Sequence, residues 1–246
     1  DIIHNHRVLR RKLKKWERRS KKIQRIDKIA EKLKKEGNDS DLSVDELHAL
    51  YKQEVGGFRS SSPFSFQRDI YSETKELRKK RQEEGKAQED YARIYGCKPE
   101  QVTSEPDDVF KENRDIVIFT GKELDFTNKN LPKTLKHVSG KLSSESRDVA
   151  LPQNLEYVGG DLDLDSLTSA KGLELPKTIG GYLDLNYLEE IPAEGLRLPE
   201  TVDKYIFLGS LTSAKGLMLS DTTGGSVNLE NITKTEREEL RKKDQI

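Results

Sequence analysis

An internal repeat with two identical copies constrains the fold of this chain more than any other feature of its sequence. The heptapeptide Leu-Thr-Ser-Ala-Lys-Gly-Leu occurs at residues 167–173 and again, unchanged, at 211–217. A degraded copy lies midway between them, from Leu188 to Leu196. Self-similarity at a fixed period is typical of proteins that stack one structural unit several times, so the two copies predict a repeat architecture.

A second phrase follows each copy and predicts a short strand in every unit. Over residues 175–185 it reads Leu-Pro-Lys-Thr-Ile-Gly-Gly-Tyr-Leu-Asp-Leu, and its end alternates apolar with polar residues. This alternation is typical of a strand that buries one face. Successive strands begin 20, 21, 23 and 21 residues apart, at Leu142, Leu162, Leu183, Ile206 and Val227. One such coil cannot bury its own leucines, so we expect the coils to stack, pair their strands in parallel and share one interior.

The glycines and prolines of the phrase indicate how each coil turns. We expect the Gly-Gly pairs at 159–160 and 180–181 to adopt positive φ at a sharp corner, because glycine has no Cβ. The Leu-Pro step favours an extended segment where no ladder hydrogen bond is needed. Together these signals predict a parallel β-solenoid over residues 114–232, with Leu124 and Phe126 in one further coil.

These residues resemble two families of repeat proteins. The Leu-Pro-x-x-Leu/Val start and the Leu-x-Leu strand are similar to bacterial leucine-rich-repeat proteins, whose repeats of about 20–29 residues include the steps found here. The Gly-Gly-x-Leu-x-Leu entry is similar to the strands of the β-helical receptor L domain. The chain departs from the leucine-rich-repeat pattern where an inward Asn or Cys should follow the strand, since the residues there differ from one another: Asp165, Asn186, Gly209 and Glu230. The resemblance implies a ligand-binding scaffold without catalytic residues. It also implies a bacterial origin, as a cytoplasmic protein or a delivered effector.

Strand residues that point away from the leucines predict a binding face. The carboxylates among them would make this face acidic, and the aromatic rings would supply anchors of the kind that are common in binding hot spots. The predicted partner site consists of Asp161, Asp163, Tyr182, Asp184, Tyr205, Phe207 and Asn228. A basic or amphipathic segment of a protein or peptide would match it. The alternative is an ordinary solvated strand surface whose aromatic residues are covered by a flanking helix.

Residues 1–40 predict a basic amphipathic helix. They contain 15 Lys and Arg against 6 Asp and Glu, although the whole chain has a formal net charge of zero. A mainly apolar stripe recurs at three- and four-residue steps between 7 and 35, at Leu9, Leu13, Trp16, Ser20, Ile23, Ile26, Ala30 and Leu33.

Three interpretations of this helix remain open. Its stripe packs on the protein or on another chain, and the charges only solvate it. It lies on an anionic membrane with Trp16 at the interface. Or it binds the phosphates of a nucleic acid, through the candidates Arg10, Arg11, Lys14, Lys15, Arg18 and Lys22.

The fold class that follows is α+β, with a helical N-terminal half, the leucine-rich-repeat-like solenoid and a C-terminal helix. Residues 41–113 predict a helical region with a linker. It would begin with a helix capped by Ser43 and Glu46. After the linker, we expect a long helix over residues 67–95 with a polar, solvated middle, and then an acidic loop over 99–113.

Residues 233–246 predict a charged helix that covers the open end of the solenoid, capped by Thr233 and Glu236. No apolar run of the sequence reaches the roughly 18 residues that a membrane-spanning helix requires. We therefore expect no transmembrane segment.

The sequence gives little support for catalytic chemistry. Cys97 is the single cysteine, which excludes an intrachain disulfide and a zinc site made mainly of cysteine. Bacterial leucine-rich-repeat ligase effectors carry their catalytic cysteine two residues before an aspartate, but here position 99 is Pro. We therefore expect an ordinary thiol, no metal site, no cofactor and no catalytic residues.

Three functional hypotheses follow. The leading one is a non-enzymatic interaction scaffold whose solenoid holds a protein or peptide. The second is a nucleic-acid-associated protein that acts through residues 7–35. The third is an enzyme whose active site lies in the helical half or in sequence beyond the given residues, for which an activated Cys97 thiol would be the sign. Hydrophobic residues make up 33% of the chain and charged residues 36%, a balance that favours thin repeats and solvated helices over a thick globular core.

Overall fold

Two compact units make up the described part of the chain. The computed structural model describes residues 24, 25, 27–35, 42–51, 78, 79, 81, 85–218 and 226–236. Among these, the first unit ends at Gly96 and the second begins at Cys97. The strands lie in the second unit, and the longer helices lie in the first.

The first unit contains the helices Val44–Tyr51 and Ala87–Tyr95. The predicted capping box begins the first of them, which confirms that prediction. The Ser43 N–H donates to Glu46 Oε2 over 2.8 Å, and the Glu46 N–H donates to Ser43 Oγ over 3.3 Å. These two bonds satisfy donors that the first turn of a helix otherwise leaves open. Across the described ranges, the helices are all too short or too polar to cross a bilayer.

Most of the predicted basic helix lies outside the described residues. Trp16 and the six phosphate-binding candidates all precede residue 24 and are not described. Residues 27–35 are helical. Leu33 of the predicted stripe is buried, but the second buried side chain is Ile29 rather than Ala30. The predicted stripe is therefore right at Leu33 and off by one residue at Ala30.

The prediction of one continuous helix over residues 67–95 is wrong near its C-terminal end. Gly85 has a left-handed backbone, with φ at +74°, and the helix begins only at Ala87. Glycine reaches this conformation without a steric cost and often follows the end of a helix. The solvated middle is also wrong at Arg81, which is 2% exposed and forms two hydrogen bonds with Asp90.

The second unit is a parallel β-solenoid of about five turns, which confirms the architecture predicted from the repeat. In spatial order, the first sheet contains β1 (Val102–Thr103), β2 (Ile118–Phe119), β4 (His137–Val138), β6 (Tyr157–Val158), β8 (Thr178–Ile179) and β11 (Thr201–Val202). The second sheet contains β3 (Glu123–Asp125), β5 (Lys141–Ser143), β7 (Leu162–Asp163), β9 (Leu183–Asp184), β12 (Tyr205–Phe207) and β14 (Ser226–Asn228). A short pair, β10 (Leu196–Arg197) and β13 (Leu217–Met218), lies on a third side.

Strand register places the repeated apolar residues in one interior, as predicted. Leu142 pairs with Leu162, Leu162 with Leu183, Leu183 with Ile206, and Ile206 with Val227. The first four side chains are 0% exposed, and Val227 is partly buried against the same cluster. Burial of one such side chain stabilises a fold by about 1.5–3 kcal/mol. The strands have only two or three residues each, so the shared interior joins coils that their short ladders alone would hold weakly.

The Gly-Gly pairs do not have the positive φ that we expected. Left-handed glycines instead belong to the heptapeptide, where Gly172 and Gly216 have φ of 70° and 87°. The glycines at the corners are needed for space. A Cβ on Gly140 would lie 2.0 Å from the backbone oxygen of Lys122, and one on Gly160 would lie 2.7 Å from the carbonyl carbon of Gly140. At Gly140 and Gly160, successive coils therefore pass too close for a side chain.

The first sheet begins upstream of residue 114, because β1 pairs with β2. The acidic segment 99–113, which we expected to be a loop, contains the 3-10 helix Pro99–Gln101, strand β1 and the short helix Pro106–Val109. Elements this short produce no periodic signal in the sequence.

The predicted capping box at Thr233 is present in the structure. The Glu236 N–H donates to Thr233 Oγ1, and the Thr233 N–H donates to Glu236 Oε2, each over 3.2 Å. Glu236 Oε1 also accepts hydrogen bonds from Ser213 Oγ and the Ala214 N–H, which attaches this helix start to a coil of the solenoid. The rest of the predicted C-terminal helix, residues 237–246, lies outside the described residues.

Candidate partner-binding face

The second sheet presents two rows of side chains on the side opposite the leucine interior, which we call the outer face. The first row consists of Glu123, Lys141, Asp161, Tyr182, Tyr205 and Ser226. The second row consists of Asp125, Ser143, Asp163, Asp184, Phe207 and Asn228. The register therefore brings all seven residues of the predicted partner site onto one face, in or next to neighbouring strands.

Tyr182, Tyr205 and Phe207 form an aromatic patch near the C-terminal end of the outer face. The ring centroid of Phe207 lies 5.9 Å from that of Tyr182, with the planes at 71°, and 6.0 Å from that of Tyr205. Aromatic pairs attract each other at these separations. Tyr205 is 55% exposed, whereas Tyr182 and Phe207 are half-buried. The patch holds its rings against one another while leaving one of them open to solvent.

Two carboxylates of the predicted site are paired with lysines of the same chain. Lys141 Nζ lies 2.9 Å from Asp163 Oδ2, and Lys204 Nζ lies 3.4 Å from Asp161 Oδ1. The hydrogen bond to Asp163 raises the pKa of Lys141. The outer face is therefore less acidic than its sequence suggests. Both lysines were missed, although Lys141 would have appeared if the rows had been extended by one coil.

Asp184 differs from these two carboxylates. It lies between Asp163 and Phe207 in the second row, and one of its oxygens accepts the N–H of Asn186 over 3.0 Å. Burial raises the pKa of Asp184, and the negative charges of Asp163 and Asp165 raise it further. Within the described part of the chain, no lysine or arginine forms an ion pair with Asp184.

Asn228 ends the second row and is held by its own strand. Its side-chain amide donates to Glu230 Oε1 over 2.9 Å. Asn228 therefore borders the aromatic patch as a polar group with one of its two amide N–H donors engaged within the chain.

The N-terminal end of the outer face is charged rather than aromatic. An open groove of about 360 Å³ is lined by Glu123, Asp125, Lys141, Ser143, Ser144, Glu145, Asp163 and Asp165. Asp125 accepts hydrogen bonds from the hydroxyl and the N–H of Thr127, and these bonds lower its pKa. In the ranges that the structure describes, no three His, Cys, Asp or Glu side chains converge as metal ligands.

We expect Cys97 to react slowly with iodoacetamide at neutral pH. Burial raises the pKa of its thiol above the ordinary value of 9.0, and a backbone hydrogen bond and the Lys136 charge lower it only in part. Because the thiolate is the nucleophile, the folded chain should be alkylated more slowly than the denatured chain at neutral pH, and its rate should level off at a higher pH than that of the denatured chain. The chain has one cysteine, so mass spectrometry reports this site alone, and the denatured chain provides the reference rate. Fast alkylation at neutral pH would show that the thiol is activated, which would support the enzyme hypothesis.

No protein-family model matches this chain, and neither a curated protein nor a solved structure matches it. The leucine-rich-repeat relationship, the bacterial effector role and the nucleic-acid hypothesis therefore stay predictions from the sequence. The structure supports the coarser statement that the C-terminal half forms a parallel β-solenoid.

Proposed function

We propose that this protein is a non-enzymatic interaction scaffold, in which the outer face of a leucine-rich-repeat-like solenoid binds a segment of a protein partner. The aromatic patch is the observation that carries this proposal. Tyr205 is 55% exposed although its neighbour Phe207 is half-buried. Tyrosine supplies a large contact area and loses little conformational entropy on binding, which is why binding hot spots are enriched in it.

The sheet beneath the patch supports this role because it fixes the rings before a partner arrives. β12 pairs with β14 on one side and with β9 on the other, so it is a central strand. Ile206, between the two aromatic residues, is 0% exposed and anchors the strand in the interior. Side chains that are already ordered lose less entropy on binding. Since both edges of β12 are occupied, the partner would contact side chains rather than add a strand.

The ion pairs of the outer face also favour binding over acid–base chemistry. Lys204 and Lys141 hold Asp161 and Asp163 as paired charges. Both carboxylates are thus engaged within the chain, whereas a general acid or base needs its carboxyl group within hydrogen-bond reach of the substrate. The coil steps of 20–23 residues lie within the leucine-rich-repeat range of about 20–29, which supports the family part of the proposal.

We expect the double variant Tyr205→Ala with Phe207→Ala to lose partner binding. The probes are peptides selected from a randomised display library on the wild-type full chain. A hot-spot residue contributes about 2 kcal/mol or more, so the affinity should fall at least about thirtyfold, measured by isothermal titration calorimetry. The melting temperature should change by only a few degrees, because Tyr205 is 55% exposed.

Tyr187→Ala is the matched control for this experiment. Tyr187 is 57% exposed but belongs to neither row of the outer face, so its removal should leave the affinity unchanged. If the double variant binds the selected peptides as well as the wild type does, the proposed face is wrong. An equal loss in the Tyr187 variant would point to non-specific adhesion to exposed rings.

A further inference from the structure

Three aspartates surround the aromatic patch, but the described chain pairs only two of them with a cation. Asp161 is paired with Lys204, and Asp163 is paired with Lys141. Asp184, which lies beside Phe207 in the second row, has no such partner among the described residues. Among these three aspartates, Asp184 is therefore the one whose negative charge the described residues do not balance.

Lys204 shows how the outer face accommodates a cation. Its Nζ lies 5.8 Å from the ring centroid of Tyr182 and 3.4 Å from Asp161 Oδ1. A cation placed in this way is attracted by the ring as well as by the carboxylate. The same combination of ring and carboxylate recurs in the second row, where Asp184 is the register partner of Phe207.

Ionised Asp184 is unfavourable in the free protein. Asp163 lies directly opposite it on the neighbouring strand, and like charges in that position destabilise a sheet. Burial also raises its pKa. A folded-state pKa above the unfolded value means that ionisation opposes folding. This cost is absent below the unfolded pKa of about 3.9 and fully present above the folded one. A cation bound at Asp184 would offset it.

We infer that Asp184 and the aromatic patch together bind an arginine side chain, so that the partner segment is a basic peptide. This inference rests on the proposed function. A guanidinium group fits better than an ammonium group because it is planar, stacks on aromatic rings and is weakly hydrated. Asp184 accepts one bond from the Asn186 N–H, and a carboxylate has further acceptor positions for the two parallel bonds of a guanidinium.

Asp184→Asn tests this inference, with Asp125→Asn as the matched control. Both aspartates lie in the second row, and each accepts the N–H of the residue two positions later, which an amide oxygen can still accept. With arginine-containing peptides selected on the wild-type full chain, Asp184→Asn should weaken binding about tenfold to a hundredfold, the range expected for hydrogen bonds to charged groups. Asp125 lies away from the aromatic patch, so Asp125→Asn should leave the affinity unchanged.

Citrulline in the peptide provides the complementary change, because it keeps the shape of arginine without its charge. On the wild type, this replacement should cause the same loss as Asp184→Asn. On the Asp184→Asn variant it should cause little further loss, since the two groups then act as one pair. Additive losses would mean that the arginine binds elsewhere on the chain.

The melting temperature of the free protein separates a binding role from a structural one. At neutral pH, Asp184→Asn should keep or raise it, because the pKa of Asp184 is raised. Asp125→Asn should lower it, because bonds from Thr127 lower the pKa of Asp125. Weakened binding together with a lower melting temperature in the Asp184 variant would overturn the inference.

The remaining outcomes distinguish this inference from the proposed function. Selected peptides without arginine, or equal losses in the Asp184 and Asp125 variants, would overturn the arginine site. Peptides that depend on Tyr205 and Phe207 but not on Asp184 would overturn it while leaving the proposed function intact. Peptides that are indifferent to all of these substitutions would contradict the proposed function itself.

Discussion

Gly140→Ala should destabilise the solenoid by about 3 kcal/mol or more, the upper part of the range for overpacking a closely packed site. Its Cβ would lie 2.0 Å from the Lys122 oxygen and 2.4 Å from the Gly121 oxygen. Both are backbone atoms, which cannot rotate away. The approach is also fixed by hydrogen bonds between coils, because the Lys141 N–H donates to the Lys122 oxygen over 2.8 Å. Chemical denaturation followed by far-ultraviolet circular dichroism measures the change.

Gly172→Ala separates this steric effect from the loss of glycine's backbone freedom. Gly172 has φ at +70°, and nothing lies within 4 Å of its added Cβ. We expect a cost of about 1–2 kcal/mol there, which is the penalty for a left-handed residue with a side chain. If Gly140→Ala were no more destabilising than Gly172→Ala, the close approach of the coils would be wrong.

Asp90→Asn should destabilise the helical unit by about 3–5 kcal/mol, because it removes the Asp90 carboxylate from a buried ion pair with Arg81. Arg81 Nε lies 2.5 Å from Asp90 Oδ2 and Nη2 lies 2.7 Å from Oδ1, and both side chains are 3% exposed. Hydrogen exchange of the amides in the helix Ala87–Tyr95 would report this change locally. Unaltered protection would show that the pair is not needed.

Two further variants define what the ion pair contributes. Glu89→Gln removes an exposed partner of Lys86, in a pair separated by 3.7 Å, and should cost less than about 1 kcal/mol. Replacing both buried charges, as Arg81→Met with Asp90→Leu, should recover much of the stability lost in Asp90→Asn. Buried ion pairs often exchange for apolar residues of similar volume at little cost.

The parts of the solenoid that follow from side-chain alternation could be predicted from the sequence. Strand side chains alternate between two faces with a period of two, so Leu162, Leu183 and Ile206 were assigned to one interior and Tyr182 and Phe207 to the other side. If equivalent repeat positions pair between strands, the two rows of the outer face follow directly from the sequence. The capping boxes at Ser43 and Thr233 were also predictable, because their donors and acceptors are local in sequence.

The parts that depend on distances between coils could not be predicted in this way. The sequence predicts glycine corners before the strands, but the requirement for space at Gly140 becomes visible only when the preceding coil is in position. The pairing of Lys204 with Asp161 joins residues far apart in sequence, and alternation within one strand carries no such information. Arg81 was assigned to solvent because most charged residues are exposed, and only its distance from Asp90 shows otherwise.

One coil of the stack lacks the corner glycines. Where the two preceding coils have Gly160 and Gly181, this coil has Lys204, and the step that leads to Ile206 is the longest, at 23 residues. The same coil supplies Tyr205 and Phe207. In a stacked repeat, one coil can change its surface residues while the coils on either side keep the parallel strand pairing intact. Under the proposed function, recognition would then be concentrated in the one coil that lacks both corner glycines.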